Sequence, residues 1–308
     1  MNEHSFFIDT VDGKKLFVYE FLPLEKPKAI VQITHGMAEQ AYRYKNFAAF
    51  LCSQGFAVYA PDLRGHGKTA GASENLGFFA ENSGVNAVLN DMYLVLKFAK
   101  NKHGNLPYFK FGHSMGSFFS RRFVALYHAE LTGAIFSGTA ADPGLLGSAG
   151  KLIANIEGAL RGKKAYSKLL NALTFGSFSK ALKNPRTELD WLSRDPEIVD
   201  EYIADPYCGF VCTASFYADM LELMLSLKNI EHIGFLPAQF PIYFFAGQQD
   251  PVGNFGKGVT KVAETYKATG LTDVSCKLYP EARHEMLNEL NKEEVYADVL
   301  NFLNKYIV

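Results

Sequence analysis

The stretch YFKFGHSMGSFF, residues 108–119, decides the fold of this chain. It begins with a short apolar run, passes through a serine flanked by glycines, and ends in residues whose apolar positions repeat with helical spacing. A G-x-S-x-G motif between a strand and a helix forces its serine into a sharp turn that exposes the hydroxyl. Gly112 and Gly116 flank Ser114 because side chains there would clash in so tight a turn. The alternative is an ordinary loop whose serine caps the following helix.

Short apolar runs alternate with longer amphipathic stretches on both sides of this motif, as is typical of βαβ units and a mostly parallel sheet. The sequence predicts an opening hairpin at residues 5–10 and 15–21 and buried strands at residues 29–34, 57–60, 108–111, 133–137, 242–246 and 274–279. Apolar residues follow a helical period at residues 41–54, 84–103, 115–129, 257–269 and 289–306.

One long segment, residues 142–234, breaks the alternation because it shows helical patterns and no convincing buried strand. Asp195 and Pro196 predict one helix start there, with a capping aspartate and a proline at the first helical position. A segment of this length is too long for a crossover connection. We therefore predict an α/β core formed by residues 1–141 and 235–308, with residues 142–234 inserted as a helical cap.

Composition restricts the classes of partner. The 308 residues carry a net charge of -1, so no long-range field favours nucleic acid, and we expect no nucleic-acid partner. Four cysteines are too few for a disulfide framework, lack zinc-site spacing, and are predicted to be buried thiols. The N-terminus lacks the pattern of a secretory signal and no apolar run is long enough to span a bilayer, so the predicted location is cytoplasmic.

A serine hydroxyl needs a base to accept its proton. His284 follows the last predicted strand, at the carboxyl edge of the sheet, and is the best candidate among eight histidines once Ser114 is considered. Asp250 follows the preceding strand and is the predicted acid that orients the imidazole, with Asp142 as the fallback. Asp250 could simply be a turn aspartate before proline, but the order Ser, Asp, His is the one expected for this type of fold.

The negative charge that develops on the substrate carbonyl needs two fixed donors. The backbone N–H of Met115, directly after the serine, is predicted to be one of them. Met37, in the loop that follows the strand at residues 29–34, is predicted to supply the second N–H.

Five segments, THGMAEQ, PDLRGHGKTAG, FGHSMGS, AGQQDPVG and YPEARHEMLNE, follow one another in the order and spacing of α/β-hydrolases. They resemble most the monoacylglycerol lipase and lysophospholipase branch, and the resemblance continues into the cap segment WLSRDPEIVDEYIADP. It implies that Ser114 is the nucleophile, Asp250 the acid and His284 the base, with Met37 and Met115 forming the oxyanion hole. The branch commonly carries a histidine or another polar residue at position 40, where this chain has glutamine, which leaves the head-group preference open.

The predicted reaction is therefore the hydrolysis of a small-molecule acyl ester, most simply a monoacylglycerol or a lysophospholipid, without a cofactor or a metal. The cap offers apolar side chains that could line an acyl channel, although packing explains most of them equally well: Leu169, Leu170, Leu173, Phe175, Phe178, Phe210, Phe216 and Met220. Transient contact with a membrane or micelle is compatible with the sequence, which predicts no particular oligomeric state. The alternatives are a small-ester carboxylesterase, a prolyl aminopeptidase and a non-catalytic binding protein.

Overall fold

The computed structural model describes residues 1–229 and 235–307 of the chain. Its centre is an eight-stranded sheet with the strand order β1-β2-β4-β3-β5-β6-β7-β8 within those residues. The strands are β1 Asn2–Asp9, β2 Lys15–Leu22, β3 Ala29–Thr34, β4 Phe56–Pro61, β5 Tyr108–His113, β6 Gly133–Ser137, β7 Ile242–Gly247 and β8 Val274–Tyr279. The first two pair antiparallel with each other, and β2 also pairs antiparallel with β4, whereas all other neighbours are parallel.

Helices cover both faces of the sheet, which explains why the central strands are buried along their whole length. The core helices are α1 Lys45–Ser53, α2 Gly67–Ala70, α3 Gly84–His103, α4 Met115–Tyr127, α9 Lys257–Ala268 and α10 Lys292–Asn304. Residues of α1 and α10 share one apolar cluster with the sheet, while residues of α3 and α4 share another on the opposite face.

The segment between β6 and β7 holds four further helices in the described residues: α5 Gly144–Arg161, α6 Lys168–Phe175, α7 Pro196–Ala204 and α8 Ala214–Ser226. No strand of the sheet comes from residues 142–229, where only an isolated bridge joins Tyr166 and Thr213. The side chain of Asp195 caps α7 and Pro196 is its first residue, as predicted. The predicted end of the cap at Gly234 lies outside the described residues.

The architecture confirms the predicted α/β-hydrolase fold with its mostly parallel sheet. The differences are local. The helix predicted at residues 41–54 begins with a separate 3-10 turn, Ala41–Tyr44, and α2 was not predicted because its four residues are too short for a periodic pattern. The strand predicted at residues 57–60 extends to Pro61, which stands at the strand end, where the missing N–H is tolerated.

All four cysteines are free thiols, with Cys52 and Cys212 buried and Cys208 and Cys276 only half-buried, so the expectation of burial is correct for two of them. Among the residues that the structure describes, no helix combines the length and the hydropathy needed to cross a bilayer.

Candidate active site

The predicted site residues all lie at one edge of the sheet. Strands β3 and β5 to β8 run parallel, so the loops that follow them emerge on the same side. Ser114 directly follows β5, Asp250 follows β7 and His284 follows β8. The loop after β3 carries Met37. The topology thus gathers four stretches of chain that are far apart in sequence.

Ser114 occupies a strained turn between β5 and α4. Its backbone has φ 50° and ψ -122°, a conformation that residues with a side chain rarely adopt. The Ser114 N–H donates to the carbonyl of Ser137 on the neighbouring strand at 2.9 Å, which helps to hold the turn. Ser114 is half-buried and lines a cavity, so its hydroxyl can meet a ligand.

The glycines around this serine are required by close approach of the backbone. A Cβ atom at position 116 would lie 2.1 Å from the carbonyl oxygen of Thr34, and one at position 112 would lie 2.5 Å from the carbonyl oxygen of Gly116. Neither backbone oxygen can move without disturbing the sheet or α4. The two glycines of the G-x-S-x-G pattern are therefore required because the start of α4 packs closely against β3 and β5.

His284 and Asp250 form a buried pair. The Nδ1–H of His284 donates to Oδ2 of Asp250 at 2.9 Å, and both side chains are almost fully shielded from solvent. Burial alone would lower the pKa of His284, but the Asp250 carboxylate outweighs burial and raises that pKa above its ordinary value of 6.5. The fallback acid, Asp142, is exposed and accepts a hydrogen bond from the N–H of Gly144.

The ring of His284 is enclosed on several sides. The ring of His113 lies 4.6 Å from it and the indole of Trp191 lies 5.2 Å from it, measured between ring centroids. Gly138, with φ 56°, leaves the space that the ring occupies, since a Cβ atom there would approach Cε1 of His284 to 2.9 Å. Packing and the bond to Asp250 together fix the imidazole in one orientation.

A cavity of about 630 Å³ opens over Ser114 and His284. Its apolar lining comes from the loop after β3 and from the helical segment between β6 and β7, and includes Met37, Ala172, Phe175, Leu189, Trp191, Leu192, Ile203 and Phe210. Its charged lining consists of Glu39, Glu188 and Glu285, with no lysine or arginine among the described lining residues. The cavity is large enough for a drug-sized or lipid-like ligand.

In the loop after β3, the backbone N–H of Met37 has no hydrogen-bond acceptor among the described residues. The N–H of Gly36 donates to the carboxylate of Glu39, and the N–H of Ala38 donates to Nε2 of His66. For the N–H of Met37 between them, and for that of Met115 at the start of α4, no acceptor is found among the described residues. Both N–H groups therefore remain available to a negatively charged oxygen.

Two buried histidines hold this loop in place. His66, from the DLRGHG segment, accepts from Ala38 N–H and donates from Nδ1 to the carbonyl of Arg64. His35 donates from Nδ1 to the carbonyl of Gly36 and accepts from the N–H of Leu63. Burial lowers the pKa of His66 to about 4, and burial lowers the pKa of His35 as well, so both rings stay neutral and keep their acceptor nitrogens.

Several residues of the site were not recognised in the sequence. These are Arg43, Tyr202 and Glu285, which lie at the loops that carry Met37 and His284. Single charged or aromatic residues in helices and loops carry no pattern that marks them. Of the eight apolar cap residues considered for an acyl channel, Phe175 and Phe210 line the cavity, whereas Phe216 and Met220 are buried in the core cluster. The other four are Leu169 and Leu173, which are exposed, Leu170, which is buried, and Phe178, which packs on Trp191.

Gln40, the departure from the related sequences, does not line the cavity. Its Nε2 donates to Oδ2 of Asp205 at 2.6 Å, next to the end of α7. The residue therefore ties the core to the helical segment, and the head group of a substrate in this cavity meets other side chains.

The sequence of the chain matches a known protein family and several characterised relatives. The model of the family described as serine aminopeptidase, S33, matches residues 25–291. A monoacylglycerol lipase of Mycolicibacterium smegmatis is 28% identical over 309 residues, covering 99% of this chain and 98% of the relative. The human monoglyceride lipase is 27% identical and covers 96% of this chain and 88% of its own length.

A solved structure of an ester hydrolase is also similar to this chain over its whole length. The carboxyl esterase from Bacillus coagulans, crystallised in complex with glycerol, superposes with a TM-score of 0.89 and 31% identity over the whole of both chains. These matches show a serine ester hydrolase of the α/β-hydrolase fold, similar to monoacylglycerol lipases. The chain belongs to the serine aminopeptidase S33 family.

Proposed function

We propose that this enzyme hydrolyses monoacylglycerols with a fatty acyl chain through an acyl-enzyme on Ser114. In this proposal His284 is the general base, Asp250 orients it, and the N–H groups of Met37 and Met115 form the oxyanion hole. One observation carries the proposal: the strained Ser114 and His284 line the same cavity, and Nδ1 of His284 lies 2.9 Å from the buried carboxylate of Asp250.

The chemistry proceeds in two steps. In the first, Oγ of Ser114 attacks the ester carbonyl while Nε2 of His284 accepts its proton, and the same proton then passes to the leaving alcohol as the C–O bond breaks. In the second, His284 accepts a proton from water, whose oxygen attacks the acyl carbonyl. The bond from the acyl carbon to Oγ of Ser114 then breaks, His284 returns the proton to Oγ, and the fatty acid leaves. The Asp250 carboxylate holds Nδ1–H, which leaves Nε2 unprotonated and able to accept the serine proton in this proposal.

The raised pKa of His284 sets the pH range of the reaction. A general base must be unprotonated, and the pKa of His284 lies above its ordinary value of 6.5 because the Asp250 carboxylate outweighs the effect of burial. Activity is therefore expected to fall as pH decreases through a value above 6.5.

The charges around the cavity favour an uncharged alcohol as the leaving group. Three glutamates line the cavity, and Arg43 behind two of them is already paired with both. A lysophospholipid would bring a phosphate to a wall of carboxylates that offers no free cation in the described part of the chain. Glycerol carries no charge and has hydroxyls that can donate to carboxylates. The glycerol in the related Bacillus esterase supports this preference.

The apolar part of the lining favours an acyl chain over a short acid. Each CH₂ group that leaves water for such a surface contributes about 0.8 kcal/mol. Phe175, Phe210, Leu189 and Ile203 offer this surface next to Ser114. A small acetyl ester would leave most of it unused.

The helical segment is proposed to work as a cap that delivers lipid, with residues 1–141 and 235–308 as the core and residues 142–234 as the cap. Leu145, Leu146 and Leu160 of α5 are exposed to 89%, 86% and 81%, and Leu169 and Leu173 of α6 are also exposed. Exposed apolar side chains on two helices, of which α6 also lines the cavity, suit a neutral lipid surface in which monoacylglycerol is dissolved.

A vesicle assay tests the contact. Replacing both Leu145 and Leu146 by serine is expected to reduce binding to neutral phosphatidylcholine vesicles severalfold, while hydrolysis of soluble p-nitrophenyl butyrate stays unchanged. Equal binding of the variant and the parent protein would contradict the contact. A cytoplasmic location is also proposed, and the four free thiols support it.

The function itself is tested with an ester panel. We expect a long-chain monoacylglycerol to give a kcat/KM at least about tenfold above that for lysophosphatidylcholine, p-nitrophenyl acetate or a proline amide. Ser114→Ala should be inactive on all of them while unfolding at the same urea concentration as the parent, and it should not react with a fluorophosphonate. Faster turnover of the proline amide would instead assign an aminopeptidase.

A further inference from the structure

Arg43 lies at the centre of a buried ion cluster beside the active site. Its Nη1 donates to Oε2 of Glu39 at 2.9 Å and to Oε1 of Glu285 at 2.6 Å, and its Nη2 donates to Oε2 of Glu285 at 2.7 Å. All three side chains are shielded from solvent, with Arg43 the most accessible at 11%. One guanidinium therefore pairs with two carboxylates that lie in the cavity wall.

Each carboxylate belongs to a different catalytic loop. Glu39 ends the loop that carries Met37, and its Oε1 accepts hydrogen bonds from the N–H of Gly36 and, at 2.8 Å, from the hydroxyl of Tyr44. Glu285 is the residue directly after His284. Its side chain also accepts from Nδ2 of Asn288, and its N–H donates to the carbonyl of Leu192.

The two carboxylates of the cluster have opposite pKa shifts. Burial and the neighbouring Glu285 carboxylate raise the pKa of Glu39, although the Arg43 guanidinium opposes them. Burial alone would raise the pKa of Glu285, but the Arg43 guanidinium outweighs burial and holds that pKa below its ordinary value. The two carboxylates likewise raise the pKa of Arg43, although burial opposes them. The planar guanidinium binds both oxygens of Glu285 through separate N–H donors in a fixed fork and also reaches Glu39, a geometry that the single nitrogen of a lysine ammonium does not reproduce.

The helical segment also reaches Arg43. The ring of Tyr202 in α7 lies 4.8 Å below the guanidinium, and the Tyr202 hydroxyl donates to the carbonyl of Ala38 at 2.7 Å. Arg43 thus contacts the oxyanion loop, the loop of the base and the cap through one planar group.

The sheet alone does not set the distance between these two loops. They follow β3 and β8, which are separated by β5, β6 and β7 in the sheet, roughly 19 Å apart at the usual strand spacing. An oxyanion donor and a general base must nevertheless meet at one carbonyl group within about 0.5 Å of the productive geometry. A direct contact between the two loops would add to the packing and hydrogen bonds that hold each of them separately.

We propose that Arg43 is a positioning residue that locks the oxyanion loop, through Glu39, to the loop of the catalytic base, through Glu285. The inference rests on the proposed roles of Met37 and His284. Arg43 does not touch the reacting atoms, so its loss should lower the rate of the chemical step more than the binding of substrate.

The test compares kcat and KM for Arg43→Lys and Arg43→Ala on a soluble ester. Arg43→Lys keeps a cation but loses the fork, and kcat should fall about tenfold with KM within twofold of the parent. Arg43→Ala should lose roughly 100-fold in kcat, as expected for a misplacement near 1 Å. Added methylguanidine should raise the kcat of Arg43→Ala at least tenfold, because it can fill the vacated site and bridge both carboxylates.

The control is Arg186→Lys, which alters a solvent-exposed pair with Asp200 and should leave kcat and KM unchanged. If Arg43→Ala does not fold, Glu285→Gln keeps the shape and removes the charge that binds the fork, and its kcat should fall severalfold at constant KM. A kcat within twofold of the parent for Arg43→Lys and Glu285→Gln would overturn the inference. So would a loss in Arg43→Ala that appears only in KM or does not respond to methylguanidine. Failure of the proposed function is a separate result, in which Ser114→Ala retains activity.

Discussion

Helices α4 and α5 follow neighbouring strands of the same sheet, β5 and β6, yet their surroundings differ sharply. In α4, nine of thirteen residues are buried, whereas in α5 only two of eighteen are. Helix α4 directly follows Ser114, the proposed nucleophile, and lies between the sheet and α3 and α8. Helix α5 has left the sheet, packs on α8 and turns several leucines to solvent.

The two helices belong to regions that differ in rigidity and in proposed role. The groups proposed for catalysis lie where the backbone is packed too tightly to move, which suits a strained serine and a fixed imidazole. The proposed cap has little apolar burial on its outer helices, and regions with few buried contacts open at low free energy. Substitutions in the tightly packed core should therefore lower the catalytic rate, whereas most substitutions in the outer helices of the proposed cap should not.

The sharpest test of this difference compares two aspartates. Asp250→Asn should lower kcat by about 10³ to 10⁴, because the amide cannot stabilise the imidazolium or fix its tautomer. The remaining activity should extend to lower pH, since loss of the carboxylate lowers the pKa of His284. Asp142→Asn, at the start of the cap, should stay within twofold in the same kinetic assay. The reverse result would reassign the acid.

A second test adds one methyl group to the core helix. Gly116→Ala is expected to lower the free energy of unfolding by at least about 3 kcal/mol, because the new Cβ would lie 2.1 Å from the carbonyl oxygen of Thr34. Urea unfolding monitored by circular dichroism measures the change. A variant as stable as the parent would mean that the helix start is less tightly held than its backbone contacts indicate.

A third test uses the histidines that support the oxyanion loop. Burial lowers the pKa of His66 to about 4, so between pH 6.5 and about 4 the unfolded chain binds a proton that the folded chain excludes. His66 should therefore reduce the free energy of unfolding by about 1.4 kcal/mol per pH unit as pH falls through this window.

Asp62 acts in the opposite direction, because burial raises its pKa to about 6. The measurement is therefore the difference between the parent and His66→Gln in urea midpoints at pH 7 and pH 5. His66→Gln should be less stable at pH 7, and the gap should shrink at pH 5. A gap that does not change with pH would show that His66 is not held neutral.

The smallest expected effect is in the cap and has the opposite sign from that of Gly116→Ala. At Gly158 in α5, a new Cβ would find its nearest neighbour, the Cβ of Ala214, at an ordinary 3.9 Å. Gly158→Ala should raise the free energy of unfolding by about 0.5 to 1 kcal/mol, since alanine loses less conformational entropy in a helix. A destabilised variant in the same urea assay would reveal cap packing closer than the contacts suggest.

Much of the fold could be predicted because its elements leave local signals. The buried parallel strands appear as continuous apolar runs, and the strands predicted at residues 29–34, 133–137 and 274–279 have the predicted bounds. The helix predicted at residues 84–103 is likewise found as α3. In α5 the apolar side chains also recur with helical spacing, but most of them face solvent instead of a core. Periodicity reports that a helix has an apolar side, and only packing decides what that side contacts.

The sequence by itself determined the fold class, the order of the motifs and the candidate residues Ser114, Asp250 and His284. It could do so because a tight strand–turn–helix needs glycines at set positions, and because residues at strand ends share an edge in a parallel sheet. Only the tertiary structure joined Arg43 to Glu285, 242 residues away, and showed that the N–H of Met37 remains free between two occupied neighbours. Such contacts depend on the meeting of loops from separate strands, for which the local order of residues carries no pattern.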